Sequence, residues 1–386
     1  MTLRPRLLRL HRWAGILLAG FLVLAGATGS FLAFHHEIDA WVAPELHRVP
    51  SSSERASLDA IAARIETRHP GLVVGYFVFT PNPEASIRAV MNTRAAAEAG
   101  RLDRDGAGQL EVFVDPHDGR LLGERRFGEI ALTRAHLVPM VYRLHMSLLL
   151  GEAGQWITAS IAALWLAMLF IGLLLALPRL ALLGRAFSVK WRASRARVFF
   201  DLHRSTGVAL GWLLAVIAFT GMYMNLPPDV TEPVVKAVSP FTERPKAVRA
   251  KGESRDGSWR IGWDEALARA RQVEPEHPLA IFGRVESRGY YQLRFMPPGD
   301  IVDAGTRRVF VSGRDGTVLG RFNDLEGTAA DLFRVWQFPL HSGQAFGMPG
   351  RVAICAAGLL PMLLAFTGLW LWRRRVNLRR ATATMP

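Results

Sequence analysis

Four of the eleven histidines stand in two matched pairs. His11 lies in LHRWAG and His203 in LHRSTG, 192 residues later; His145 begins HMSLLLGEAG and His341 begins HSGQAFGMPG, both of the form His-x5-Gly-x2-Gly. All four adjoin long apolar runs. Ionisable side chains at membrane depth are costly and point to function by default. Imidazoles paired across a membrane bundle most often ligate a b-type haem iron, which takes two axial nitrogens. The plainer alternative is that His11 and His203, with Arg12 and Arg204, snorkel to lipid phosphates, and that His145 and His341 are interfacial residues of an amphipathic segment.

The glycines favour the ligand reading. A flat disc needs helix surface without side chains. Gly15 and Gly207 follow His11 and His203 by one turn; Gly29 and Gly221 follow them by 18 residues, five full turns on the same face and a rise of roughly 27 Å. Gly172 and Gly368 occupy the opposite ends of the other two apolar runs. The expectation is two haems b at two depths, ligated by His11 with His203 and by His145 with His341, with the six glycines facing the discs. Arg12 and Arg204 are expected as lipid or propionate anchors. His35 and His36 are second-choice ligands, because their counterparts at the 192-residue offset are Pro227 and Pro228.

These residues need elements to hold them. Apolar runs at 13–34, 156–177, 207–226 and 352–372 are each long enough to cross a bilayer. The formal net charge of +14 reads as topology and not as affinity for nucleic acid. Arg4, Arg6, Arg9 and Arg12 precede the first run. Arg179, Arg185, Lys190, Arg192, Arg195 and Arg197 lie between the second and third, and Arg373, Arg374, Arg375, Arg379 and Arg380 follow the fourth. The positive-inside rule then places both termini in the cytoplasm of a bacterial inner-membrane protein. The single cysteine, Cys355, excludes a disulfide, thiolate-zinc or iron–sulfur centre within one chain.

The chain also repeats itself. EVFVDPHDGRLLG (111–123) matches RVFVSGRDGTVLG (308–320), and Thr28-Gly29 matches Thr220-Gly221. Read with the histidine phrases, this is a parallel duplication, each half contributing a span, an outside domain, a surface segment and a second span. The divisions are 1–37 (start and first span), 38–134 (first periplasmic domain), 135–178 (interfacial segment and second span) and 179–200 (basic loop). They continue as 201–226 (third span), 227–334 (second periplasmic domain), 335–372 (interfacial segment and fourth span) and 373–386 (tail). The fold class is a mixed membrane protein, a four-helix bundle from two tandem repeats with two α+β domains. Helices are predicted at 58–71 and 263–272. Strands are predicted at 73–80, 86–93, 110–116, 279–286, 290–297 and 307–313, with turns at Asp118-Gly119 and Asp315-Gly316.

The phrases LHRWAG, DLHRSTG, LHMSLLLGEAG and PLHSGQAFG resemble the PepSY-associated transmembrane helix family, and VFVDPHDGRLLGERR resembles the end of a PepSY domain. The similarity runs over roughly 5–376 and is nearest to FoxB-like inner-membrane proteins that release iron from siderophores by reduction. It implies haem b, periplasmic PepSY-like domains and an oxidoreductase acting on ferric siderophore, of hydroxamate type. With no flavodoxin-reductase-like segment after the last span, the donor is expected to be a separate cytoplasmic reductase or a quinol. A non-enzymatic scaffold or peptidase regulator is the alternative. Transport is disfavoured, since Pro361 faces Trp165 at the repeat offset and no paired broken helices result.

Overall fold

The computed structural model describes residues 3–99, 108–177, 180–243 and 259–383; Arg179 of the basic loop lies outside them. In chain order the main helices are α1 (Leu3–Leu32), α2 (Leu58–Arg68), α3 (Arg134–Ser147), α4 (Gly151–Ala176), α5 (Arg195–Asn225), α6 (Trp263–Val273), α7 (Ala329–Ser342) and α8 (Gly347–Ala383). The strands are β1 (Leu72–Val78), β2 (Ile87–Thr93), β3 (Leu110–Val114), β4 (Leu121–Arg126), β5 (Leu279–Val285), β6 (Tyr290–Phe295), β7 (Arg307–Ser312) and β8 (Val318–Asn323). They sort into two units. One holds the chain up to Phe34, Leu144–Pro227 and the residues from Leu340 on; the other holds His35–Arg143 and Pro228–Pro339.

In the first unit, α1, α4, α5 and α8 are long and apolar enough to cross a membrane. Helices α1, α5 and α8 outrun their apolar stretches into the adjoining arginines and leucines, which are good helix formers. His11 and His203 therefore sit inside continuous helices and not at loose mouths. Helix α1 packs on α8 and α4, and α5 packs on the same two, so α1 and α5 hold opposite corners. The α1–α8 approach is close because Gly26 meets Gly358: a Cβ on Gly26 would collide with the Gly358 carbonyl. Ser30 seals the contact by donating to the Cys355 carbonyl at 2.7 Å. Small residues let helix backbones approach in this way.

In the second unit the two predicted α+β segments share one sheet. Its order is β4-β3-β2-β1-β5-β6-β7-β8, antiparallel throughout. Strand β1 would be an unpaired edge in an isolated segment. Here it pairs with β5, Phe77 opposite Phe282, and both rings are fully buried. A large apolar core follows, drawn from both segments and including Ile61, Ile65, Trp263 and Leu293. The turn glycines Gly119 and Gly316 take the left-handed φ that hairpin turns of this kind require, 71° and 74°. Strands β4 and β8, which close these hairpins, were not among the predicted ones.

Helices α2 and α6 cap each other. Asp264 accepts from the amides of Leu58 and Asp59 at 3.0 and 3.2 Å; Asp59 accepts from those of Trp263 and Asp264 at 2.7 and 3.1 Å. Each carboxylate thus serves the other helix's orphan N–H groups. Burial opposes the charge on Asp264, but hydrogen bonds from Ser57 and the two amides outweigh it and hold its pKa below the ordinary carboxylate value. Its stabilisation is therefore present above about pH 4 and is lost as pH falls through the lower folded-state value. Asp264→Ala is expected to cost about 1 kcal/mol at neutral pH. Thermal melts should show the gap from wild type closing as the solution is acidified; a gap constant with pH would refute the cap.

Candidate functional site: two facing histidine pairs

His11 on α1 and His203 on α5 face each other across the bundle, their ring centres 6.3 Å apart. His145 in the last turn of α3 and His341 in the last turn of α7 do the same at 6.2 Å. With about 2 Å for a metal–imidazole bond and about 1 Å from nitrogen to ring centre, two imidazoles on opposite sides of one ion lie roughly 6 Å apart. Both separations match that value.

Hydrogen bonds fix the tautomers. His145 Nδ1 lies 2.8 Å from Thr28 Oγ1, His341 Nδ1 3.0 Å from Thr220 Oγ1, and His203 Nδ1 3.0 Å from Thr367 Oγ1. Each hydroxyl already donates to the carbonyl four residues back, Leu24, Val216 or Leu363, at 2.7 Å. A hydroxyl has one proton, so the threonine oxygen must accept and Nδ1 must donate. His341 Nδ1 also reaches the Ile217 carbonyl at 3.1 Å, which can only accept. In these three rings the lone pair is left on Nε2, the arrangement that metal-ligating histidines use. Burial, with the neighbouring His341 adding to it, pushes the His145 pKa down to about 4; burial does the same to His341. Both are neutral, as a ligand must be.

Four of the predicted glycines lie against the histidines themselves. A Cβ on Gly29 would stand 3.2 Å from His145 Cε1, on Gly221 3.0 Å from His341 Cε1, on Gly172 2.9 Å from His11 Cε1 and on Gly368 3.4 Å from His203 Cε1. These four pack against the imidazole rings. Sequence periodicity gave the level of each glycine, but the object against which it packs comes from the neighbouring helix. Gly15 and Gly207 do border open space, with nothing within 4 Å of an added Cβ. Gly207 opens an apolar groove of about 570 Å³ between α4 and α5, which runs past Phe170 and Trp212 to Met222. The facing separations suit two imidazoles on one metal ion at each level, while the groove is lined by none of the four histidines.

The end of α3 is held firmly. Thr158 Oγ1 and Asn225 Nδ2 both donate to the Met146 carbonyl at 2.9 Å. Leu148 and Leu149 then turn the chain into α4 with left-handed φ of 53° and 61°, unusual for leucine. His35 and His36 are elsewhere, in the β unit. Their rings stack at 3.9 Å, and His36 Nε2 lies 3.5 Å from Asp303 with its side chain 59% exposed.

Arg204 is committed to Asp201 at 2.9 Å and to the Ser188 carbonyl at 3.0 Å. Arg12 stands in a cationic cluster with Arg9, Arg375 and Arg379. The fully buried Asp201, which also binds Arg197, was missed from sequence. The signal was the Asp of DLHRSTG, where the first half has Arg9.

No curated protein matches the chain. A family model does, with residues 8–375 aligned, a stretch that holds all four histidines, their glycine seats and both segments of the sheet; the chain belongs to the family described as the PepSY-associated TM region.

Proposed function

We propose that the chain is a transmembrane electron-transfer protein that holds two haems b and reduces ferric siderophore. The observation that carries this reading is the two facing pairs, at 6.3 and 6.2 Å, with Nδ1 hydrogen-bonded in three of the four rings. A haem bound between each pair would supply one-electron redox chemistry. His11 and His203 hold one, His145 and His341 the other. Thr28, Thr220 and Thr367 keep the imidazoles in the ligating tautomer. Arg12, in its cationic cluster, is the better placed of the two predicted anchors for a propionate or a lipid phosphate, since Arg204 is already paired.

The flanking arginines support a bacterial inner-membrane setting with both termini in the cytoplasm and the β unit in the periplasm. One electron from a cytoplasmic reductase or a quinol enters at the level of His11 and His203. It leaves at the level of His145 and His341, where one Fe(III) becomes one Fe(II). Hydroxamate oxygens are hard donors that favour Fe(III), so reduction loosens the complex and frees the metal. The FoxB-like resemblance is what points to a siderophore among possible acceptors.

Purified protein should give two haems per chain in a pyridine haemochrome assay. Ferric hydroxamate siderophore should reoxidise the dithionite-reduced protein anaerobically while Fe(II) appears in ferrozine; iron-free siderophore should do neither. A colourless protein would support the membrane scaffold or peptidase regulator instead. A two-haem protein inert to ferric siderophore would retain electron transfer and remove this acceptor.

A further inference from the structure

Three of the four imidazoles have a threonine on Nδ1; the fourth does not. His11 Nδ1 is buried with no side-chain hydrogen-bond partner and faces only the Met168 backbone carbonyl, outside good hydrogen-bond geometry. One residue accounts for the difference. The glycine seats of His145, His341 and His203 are each preceded by threonine, Thr28, Thr220 and Thr367, whereas Gly172, the seat of His11, is preceded by Ile171. Isoleucine has no oxygen to offer. It packs instead into the apolar cluster of Ala14, Leu18 and Met168.

A hydrogen bond from Nδ1–H raises the basicity of Nε2, holds the ring in orientation and favours the more highly charged metal state. Loss of such a partner typically costs about 10–100-fold in metal affinity. At the His145–His341 level both rings have this support; at the His11–His203 level only one does.

We propose that His11 is the displaceable ligand of the four, that the His11–His203 site opens on the His11 side to a small neutral ligand while the His145–His341 site stays closed, and that Ile171 is the positioning residue responsible. This rests on the haem reading above. Opening breaks only the bond from iron to His11 Nε2 and makes one to the incoming ligand; no electron moves. Ile171 acts through His11, so its effect is read in ligation and potential.

Carbon monoxide is the probe, added to dithionite-reduced full-length protein whose haem content has been measured first. Wild type should form the adduct at one haem of two. Ile171→Thr should lower its apparent carbon monoxide affinity about tenfold or more. It should also favour Fe(III) about tenfold at that site, a potential lower by about 59 mV for one electron. Ile171→Val, equally apolar, should change neither. Thr28→Val, which removes the hydroxyl that accepts from His145 Nδ1, should open the second site, so that both haems react. Carbon monoxide bound by neither haem or by both in wild type, or unchanged by Ile171→Thr with both haems present, would overturn the inference and leave the haem reading standing. Protein without haem would overturn both. Should Ile171→Thr fail to assemble, the wild-type stoichiometry and the Thr28→Val result decide.

Discussion

His145→Ala should halve the haem content, from two per chain to one, and leave the His11–His203 site spectrally intact. The imidazole of His145 is one side of a facing pair, and His341 alone supplies only one of two axial nitrogens. His341→Ala should have the same effect at the same level, and His11→Ala or His203→Ala the converse effect at the other. Pyridine haemochrome content and low-temperature α-band spectra of the four variants test this, since loss at one level must leave the other's band. His35→Ala and His36→Ala should keep both haems. Removal of a haem by either, with His145→Ala still carrying two, would show that the wrong histidines have been paired.

Gly172→Leu should empty the His11–His203 site even though Gly172 is no ligand and stands on a helix that supplies none. The space beside it is already filled by His11, whose Cε1 is 2.9 Å from where a Cβ would be. Overpacking of this kind typically costs about 1–3 kcal/mol, and here the yielding group is the ring proposed to hold iron. Alanine gives a finer measure. The expected order of damage follows the available room, with Gly172→Ala worst, then Gly221→Ala at 3.0 Å and Gly29→Ala at 3.2 Å; Gly368→Ala at 3.4 Å should be nearly silent. Haem retention after detergent washing measures the series, and a Gly368→Ala more harmful than Gly172→Ala would defeat the seating argument.

The spans, the paired histidines and most of the strands are legible in the residues because they are periodic or duplicated. Hydropathy marks α1, α4, α5 and α8, and the fixed offsets single out His11, His203, His145 and His341 from the other histidines. What escapes is relational. Alternation in LVVGYFV says that β1 is a strand but not that its free edge meets β5. The spacing of Gly29 gives its level but not its neighbour. Thr28, Thr220 and Thr367 are hidden more deeply, since a helical threonine ordinarily spends its hydroxyl on the carbonyl a turn back. These three do so as well; what the sequence cannot show is that the oxygen's second role lies on another helix.

The pairing of β1 with β5 bears on how the chain is made. Synthesis delivers residues 72–78 long before residues 279–285, and His11 and His145 long before His203 and His341. Until the later residues arrive, β1 is a bare sheet edge flanked by apolar strands, the kind of surface that recruits unwanted partners. The first half can insert and form its own β-hairpins, but its sheet, its reciprocal helix cap and both imidazole pairs wait on the second. A chain truncated after the basic loop should therefore be a folding intermediate with an adhesive edge and a single imidazole at each level, competent neither to stand alone nor to hold a cofactor.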